Sequence, residues 1–558
     1  MSGPSRGPAL LLDHANVITL DPGRPRAEAV LCRDGRIVAV GSNEELEAMM
    51  DEDDIHFDCG ELTLVPGFID SHSHFLAMGL SVLRVDLSVV RHRDSMLEAM
   101  AKRAELLDEG EWVYGVDFDE SRWAGVRRLP TREELDRRVS DRHPVVARRI
   151  CGHIAVANTK ALELIGDDLD EVDPETGLLL EEVVLRLSEV VGVTDEEAKG
   201  AITLATLKAH EEGVTAIVDM ADLRTFRTYR EMAEKGALNV RVFCAVQARD
   251  VDGLTTRDAE PVAGGGGDML RLVGIKAFLD GSLGARTAAL GEPYVDDPED
   301  PDNRGMVLYT PEELRALVRS AEDTGLPMFL HAIGDRAVGM ALDAFEAEAA
   351  NGNPLRHRIE HLEYAEEEQL DRMKDLRIVA SMQPNFIVQW SGPGKMNEER
   401  LGPERANRSE ALRDVWGRGI PLAFGSDCMP FGPLYGLQGA VHHPVEEQQL
   451  PPVIALRAYT LGSAWAVHAE DQMGSIEPGK LADMALLDAD PDEAADLREI
   501  SAVATIIGGQ MVHVAIDRFN RAVHRNAQRA LEEALMDTDL PRLDLEGPRE
   551  DDEEDDDL

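Results

Sequence analysis

The sequence predicts an α/β protein whose body is a (β/α)8 TIM barrel, joined to a small β-sandwich assembled from both chain ends. Three observations carry that expectation. Eight apolar runs bounded by turn signals cross the middle of the chain, most of the later ones separated by amphipathic helical stretches. Short β-type runs punctuated by turns such as Asp34-Gly35 fill the N-terminal stretch, and the same texture returns near the C-terminus. Metal-binding residue types fall at the ends of the central runs, where barrels of this kind carry their chemistry.

In chain order, β-type runs at 10–12, 16–18, 29–32 and 36–40 are matched by later ones at 482–487 and 502–507. Neither group alone has enough strands for independent stability, so residues 1–65 and 468–517 are read as one composite sandwich. The barrel runs lie at 64–69, 214–218, 240–246, 272–279, 327–330, 358–362, 378–382 and 420–424. The barrel, 66–467, exceeds the about 250 residues such a fold needs. Most of the surplus is an insertion at 75–212, after the first strand. An insertion there is expected over the barrel mouth as a substrate lid. A charged helical stretch, 518–536, leads to an acidic tail, 546–558, which cannot bury apolar area and is expected to be disordered.

At 558 residues, 43% hydrophobic and 29% charged, the composition is globular, with no apolar run of bilayer-spanning length. Residues 1–8 lack the apolar core of a signal peptide, which points to the cytoplasm. The five cysteines are scattered, odd in number and free of C-x-x-C spacing, so neither a disulfide framework nor a zinc ribbon is expected. A formal net charge of −50 repels nucleic acid and excludes it as a partner. It fits a halophilic cytoplasm, because in molar salt the Debye length falls to about 3 Å and self-repulsion is screened. The expected partner is a small-molecule substrate, with no membrane; a homo-oligomer stays open.

The chemistry begins at Val65-Pro66-Gly67-Phe68-Ile69-Asp70-Ser71-His72-Ser73-His74. In an extended backbone, side chains at i and i+2 share a face, so His72 and His74 can converge on one metal ion. His331 ends the fifth run, His361 the sixth and Asp427 the eighth. Lys276 lies within the fourth, among apolar neighbours where a charge is costly to bury. One reading pairs it with a carboxylate. The other has a desolvated, neutral amine that reacts with carbon dioxide; the resulting carbamate has two oxygens, enough to bridge two ions about 3.5–4 Å apart. His and carboxylate donors suit zinc, and also manganese, iron or nickel.

With these motifs, together with Gly425-Ser426-Asp427 and Gly479-Lys480-Leu481-Ala482-Asp483, the chain resembles the amidohydrolase superfamily of metal-dependent barrel hydrolases. The stretches Lys276-Ala277-Phe278-Leu279-Asp280-Gly281-Ser282, His331-Ala332-Ile333-Gly334-Asp335-Arg336-Ala337 and Gly152-His153-Ile154-Ala155-Val156-Ala157-Asn158 resemble the branch that includes N-substituted formamide deformylase. The resemblance implies His72, His74, His331, His361 and Asp427 as ligands of one or two divalent ions, zinc foremost, with carbamylated Lys276 as bridge and Asp427 as general base and acid. It implies hydrolysis of a C–N bond that is not a peptide bond, in an amide, formamide or cyclic amide. Deamination on the same scaffold is the alternative, and a non-catalytic metal-binding barrel the reading from another class. His153, Asn158, Asp280, Arg286 and Trp123 are weaker candidates for substrate contact. Asp335 is read as orienting His331 or capping the next helix, Cys428 as packing, and His442-His443 as a solvated pair.

Overall fold

The computed structural model describes residues 7–120, 123–149, 154–166, 172–180, 183–184, 193–298 and 300–536. Eight parallel strands form the barrel of its nine-stranded central sheet: β1 (Phe68–Ser73), β2 (Val214–Ala221), β3 (Arg241–Gln247), β4 (Gly267–Phe278), β5 (Met328–Ala332), β6 (Arg358–His361), β7 (Val379–Met382) and β8 (Leu422–Phe424), with the short strand Val262–Gly264 antiparallel on β4. Each pairs with the next in register order from β1 to β8. Such strands are covered on both faces, so they read as unbroken apolar runs rather than alternating ones. The barrel closes past the end of β8, where the amide of Asp427 donates to the carbonyl of His72 at 2.8 Å. Closure needs a glycine at 425, because a methyl group there would stand 2.3 Å from the His72 nitrogen. Buried Asp70 locks the same seam, accepting the amides of His72 at 3.1 Å and Ser426 at 3.0 Å and the Ser426 hydroxyl.

Two further sheets hold the chain ends. One is drawn wholly from the N-terminal stretch, in the order Arg36–Gly41, Ala29–Arg33, Leu10–Asp13, Ile55–Asp58. The other joins Gln510–Val514, Ala502–Ile507 and Met484–Leu487 to Thr63–Pro66, Asn16–Ile18 and Arg26–Ala27. Leu10, Leu12 and Val30 of the first share a core with Val17, Leu64, Met484 and Ile506 of the second. The N-terminal strands therefore supply one sheet unaided, and only the second is composite. That sheet is tied to the barrel by Asp483, whose carboxylate accepts Arg241 Nε at 2.6 Å and Nη2 at 2.9 Å with both side chains buried. The C-terminal helix Ile516–Met536 lays Phe519, Ala522 and Val523 on the same core; the acidic tail lies outside the described residues.

The insertion holds a six-stranded sheet in the order Val172–Asp173, Leu178–Leu180, Ile154–Ala157, Val145–Arg149, Val113–Phe118, Val85–Asp86. It has apolar clusters of its own, one around Trp123 and Phe118 and another around Val146 and Leu179. A lone lid loop needs no core; this segment has two. Among the described residues no helix is long and apolar enough to cross a membrane.

Candidate metal centre

His72 ends β1 fully buried, and the Glu360 carboxylate of β6 accepts its Nδ1–H at 2.6 Å. That bond leaves the Nε2 lone pair facing inward, as a metal-ligating histidine requires. Glu360 is itself held by Arg358, whose guanidinium stacks 3.8 Å over the Phe329 ring and donates to the Ser71 carbonyl. His72 Nε2 lies 3.7 Å from Asp427 Oδ1, and His74 Nε2 lies 3.3 Å from the same oxygen. Two donors at zinc bond lengths and a tetrahedral angle stand about 3.3–3.6 Å apart, so these spacings fit one ion. One ligand atom from each of His72, His74 and Asp427 falls within 4.8 Å of the others.

Beyond this trio, the His361 ring centroid lies 4.7 Å from that of His72 and 4.5 Å from that of His331. His331 Nε2–H donates to the Gly281 carbonyl at 3.0 Å, which turns Nδ1 inward. Nδ1 of His331, Nδ1 of His361 and Oδ1 of Asp427 are all buried without a hydrogen-bond partner. An unpaired buried polar atom costs about 1–3 kcal/mol, so three together fit a divalent metal as the missing partner. His361 and Asp427 also sit at positive φ, 74° and 52°, where a non-glycine backbone is strained. That strain turns both side chains off their strand ends at the seam.

Lys276 is buried in β4, its Nζ 3.4 Å from His72 Nε2 and 4.8 Å from the Phe278 ring centroid. Burial pulls its ammonium down to about 8, against the neighbouring Glu360 and Asp427 charges. No carboxylate lies within salt-bridge distance of Lys276 among the described residues. Burial pushes Asp427 up to about 7 and holds His331 down to about 3 and His74 to about 4. The histidines are thus neutral, with lone pairs available, throughout the physiological range.

A family model described as amidohydrolase family matches residues 56–513. The chain belongs to that family. It is 31% identical to a putative amidohydrolase of Bacillus subtilis, YtcJ, over 88% of this chain and 96% of the relative. It is 30% identical to Protein LONG AFTER FAR-RED 3 of Arabidopsis thaliana, over 90% and 91%, and 28% identical to an N-substituted formamide deformylase of Arthrobacter pascens, over 90% and 97%. Among solved structures, an uncharacterized metal-dependent hydrolase of Pyrococcus horikoshii superposes with a TM-score of 0.77 at 29% identity, over 88% of this chain and 99% of that one. As an amidohydrolase the chain is a hydrolase of the metal-dependent kind.

The amidohydrolase fold gives the weaker candidates other work. Asn158 caps the helix Thr159–Ile165: its Oδ1 accepts the amides of Val145 and Ala161, and its Nδ2 donates to the carbonyls of Ser140 and His143. Every group it has is used, so none is left for substrate. Trp123 is fully buried against Phe118 in the insertion core rather than lining a pocket. Arg286 pairs with Asp296 at 2.9 Å, which removes it as a free anion receptor. Asp280 accepts the amides of Ala289, Ile333 and Gly334 and so braces the loops after β4 and β5; burial holds it up to about 7. Asp335 opens the helix Asp335–Glu348 and accepts the Gly291 amide at 2.8 Å, not His331. His443 is buried, not solvated, and accepts the Val445 amide at 3.0 Å. Cys428 is partly buried, its sulfur 3.4 Å from the His74 amide. His153 lies outside the described residues.

Two pairs of buried residues escaped the sequence reading. Glu360 and Arg358 carry charges inside an apolar parallel strand, the same signal that singled out Lys276. Glu363, after β6, and Glu410, between β7 and β8, are buried carboxyls; the Glu410 amide donates to the Glu363 carbonyl at 2.7 Å, and neither Glu410 carboxylate oxygen has a partner. Burial raises both, Glu363 to about 8. No spacing rule links positions 47 residues apart in two loops.

Proposed function

We propose that the protein hydrolyses a non-peptide C–N bond in a small amide, formamide or cyclic amide at a divalent metal centre, with zinc the foremost candidate. The observation that supports this reading is the convergence of His72, His74 and Asp427, with Asp427 Oδ1 and the nearby His331 and His361 Nδ1 atoms unpaired, beside a buried lysine that has no carboxylate within salt-bridge distance among the described residues. In this reading His72, His74 and Asp427 hold one ion and His331 and His361 a second. Bound metal supplies hydroxide at neutral pH and polarises the scissile carbonyl.

The chain's own residues do the rest. Glu360 keeps the His72 proton on Nδ1 and its lone pair inward. Asp427, whose Oδ1 is buried without a hydrogen-bond partner, is placed to take a proton from the attacking water and deliver it to the leaving nitrogen as the C–N bond breaks. Lys276, with its lowered pKa, is neutral in an appreciable fraction of molecules. Its nitrogen then bonds the carbon of carbon dioxide and releases one proton, giving a carbamate anion among the donors. The likeness to an N-substituted formamide deformylase puts formamides first among substrates to try.

The test is metal content per chain, with turnover of N-substituted formamides and simple amides, on wild type and Lys276→Ala purified in high salt without chelators. Two ions at the barrel in the wild type, one or none there in the variant, and turnover that tracks the barrel metal are expected. Metal-free protein in both cases overturns the reading, and turnover of amines but not amides replaces it with deamination.

Two organisational readings accompany it. The sheets that share the Leu10 core form a sandwich domain from residues 1–65 and 468–517, set against a barrel of 66–467. The charge of −50 is an adaptation to a salty cytoplasm. Thermal midpoints should fall in dilute buffer, and equal midpoints at low and molar salt would contradict the second.

A further inference from the structure

A second cluster of metal-ligand chemistry lies away from the barrel, on the turn after Leu10–Asp13. One ligand atom from each of Asp13, His14 and Glu47 falls within 4.8 Å of the others. His14 Nδ1 stands 3.6 Å from Asp13 Oδ1 and 3.4 Å from Asp58 Oδ1. These separations match those of the catalytic donors and the about 3.3–3.6 Å expected around a tetrahedral ion.

Surface carboxylates gather often on a chain this acidic, and proximity alone means little. What sets this cluster apart is Asp13. Its side chain is fully buried, its Oδ2 is engaged by His56 Nε2 at 2.5 Å, and its Oδ1 has no hydrogen-bond partner. His14 Nδ1, which faces that oxygen, has no hydrogen-bond partner either. A histidine that fixes one carboxylate oxygen and frees the other is how outer groups orient a metal-binding carboxylate. The backbone is equally fixed: the His14 amide donates to Asn43 Oδ1 at 2.9 Å, and the Cys59 amide to the Asp13 carbonyl at 2.9 Å.

We infer that Asp13, His14 and Glu47, with Asp58 in reach, form a second binding site for a zinc-type divalent cation, which staples the Asp13 turn to the helix Asn43–Glu47 and the strand Ile55–Asp58. The imidazole selects borderline transition metals over magnesium or calcium, which favour all-oxygen sites. The site is structural: it joins segments distant in sequence and holds no group of the hydrolytic reaction.

The experiment uses the full chain in high salt, stripped with chelator and reloaded with zinc, with metal per chain and thermal midpoint as readouts. His14→Ala should bind one zinc fewer than wild type, show a smaller zinc-induced rise in midpoint, and keep turnover per catalytic ion. Glu47→Gln, an exposed and mild change, should bind that zinc at least tenfold more weakly, and carries the test if His14→Ala fails to fold. His74→Ala should lose zinc at the barrel yet keep this one. Equal zinc counts and affinities in wild type, His14→Ala and Glu47→Gln overturn the inference. So does displacement of the extra zinc by a tenfold excess of magnesium, which marks diffuse binding to an acidic surface.

Discussion

The barrel mouth and Asn158 of the insertion use buried polar atoms in opposite ways. At the mouth, His331 Nδ1, His361 Nδ1 and Asp427 Oδ1 are buried and unpaired. In the insertion, Asn158 is just as buried, yet all its donors and acceptors are spent on the backbone. A group whose hydrogen bonds are complete holds the fold; a group held in place with a spare lone pair can bind a metal or move a proton. Proximity to the substrate does not distinguish the two roles. Remaining valence does.

Four substitutions break or sharpen that contrast. Asp427→Asn keeps shape but removes the proton acceptor, and should lower turnover by about 100- to 10,000-fold per bound ion; undiminished kcat would return Asp427 to a ligand-only role. Glu360→Gln touches no ligand atom directly but lets the His72 ring lose its fixed tautomer, so zinc affinity should fall about 10- to 100-fold in a chelator competition. Asn158→Ala should cost about 1–3 kcal/mol in a urea melt, through a lost cap and unpaired backbone groups, with kcat/KM unchanged. A tenfold drop in kcat/KM there would erase the contrast.

The smallest effect concerns Glu410. Burial holds its carboxyl well above the ordinary 4.5, so the folded state keeps a proton that the unfolded state has released. Its contribution to stability is full below the unfolded value and drains as pH rises, by up to about 1.4 kcal/mol per pH unit. Glu410→Gln should flatten the fall in stability between pH 5 and 8, measured by paired urea melts. An unchanged slope would show that the unpaired carboxyl is ionised in the fold, and hence that it has a counter-charge.

How much could be read from the residues differs by element. His72 and His74 were legible because period-two geometry is local. Lys276 was legible because a cation in an apolar strand conflicts with burial. Arg358 and Glu360 carried the same signal and were passed over for His361 beside them. The insertion sheet was missed because its strands are short, and the last two of its six pair out of chain order. What holds Trp123 and Arg286 was not legible, because a side chain's partners, Phe118 and Asp296, are tertiary facts.

What the sequence by itself determined is what depends on short-range periodicity and residue chemistry: eight apolar runs, their order, the histidines and lysine at their ends, and a charge hostile to nucleic acid. Only the tertiary structure decided which of these groups meet. Barrel closure brings Asp427 to His72 across 355 residues, Asp70 and Gly425 make that seam, and Asn158 is withdrawn into the backbone. The reason is physical: hydrogen bonds and metal bonds form over about 2–3 Å, and no local pattern in a chain specifies distances that short between residues that far apart.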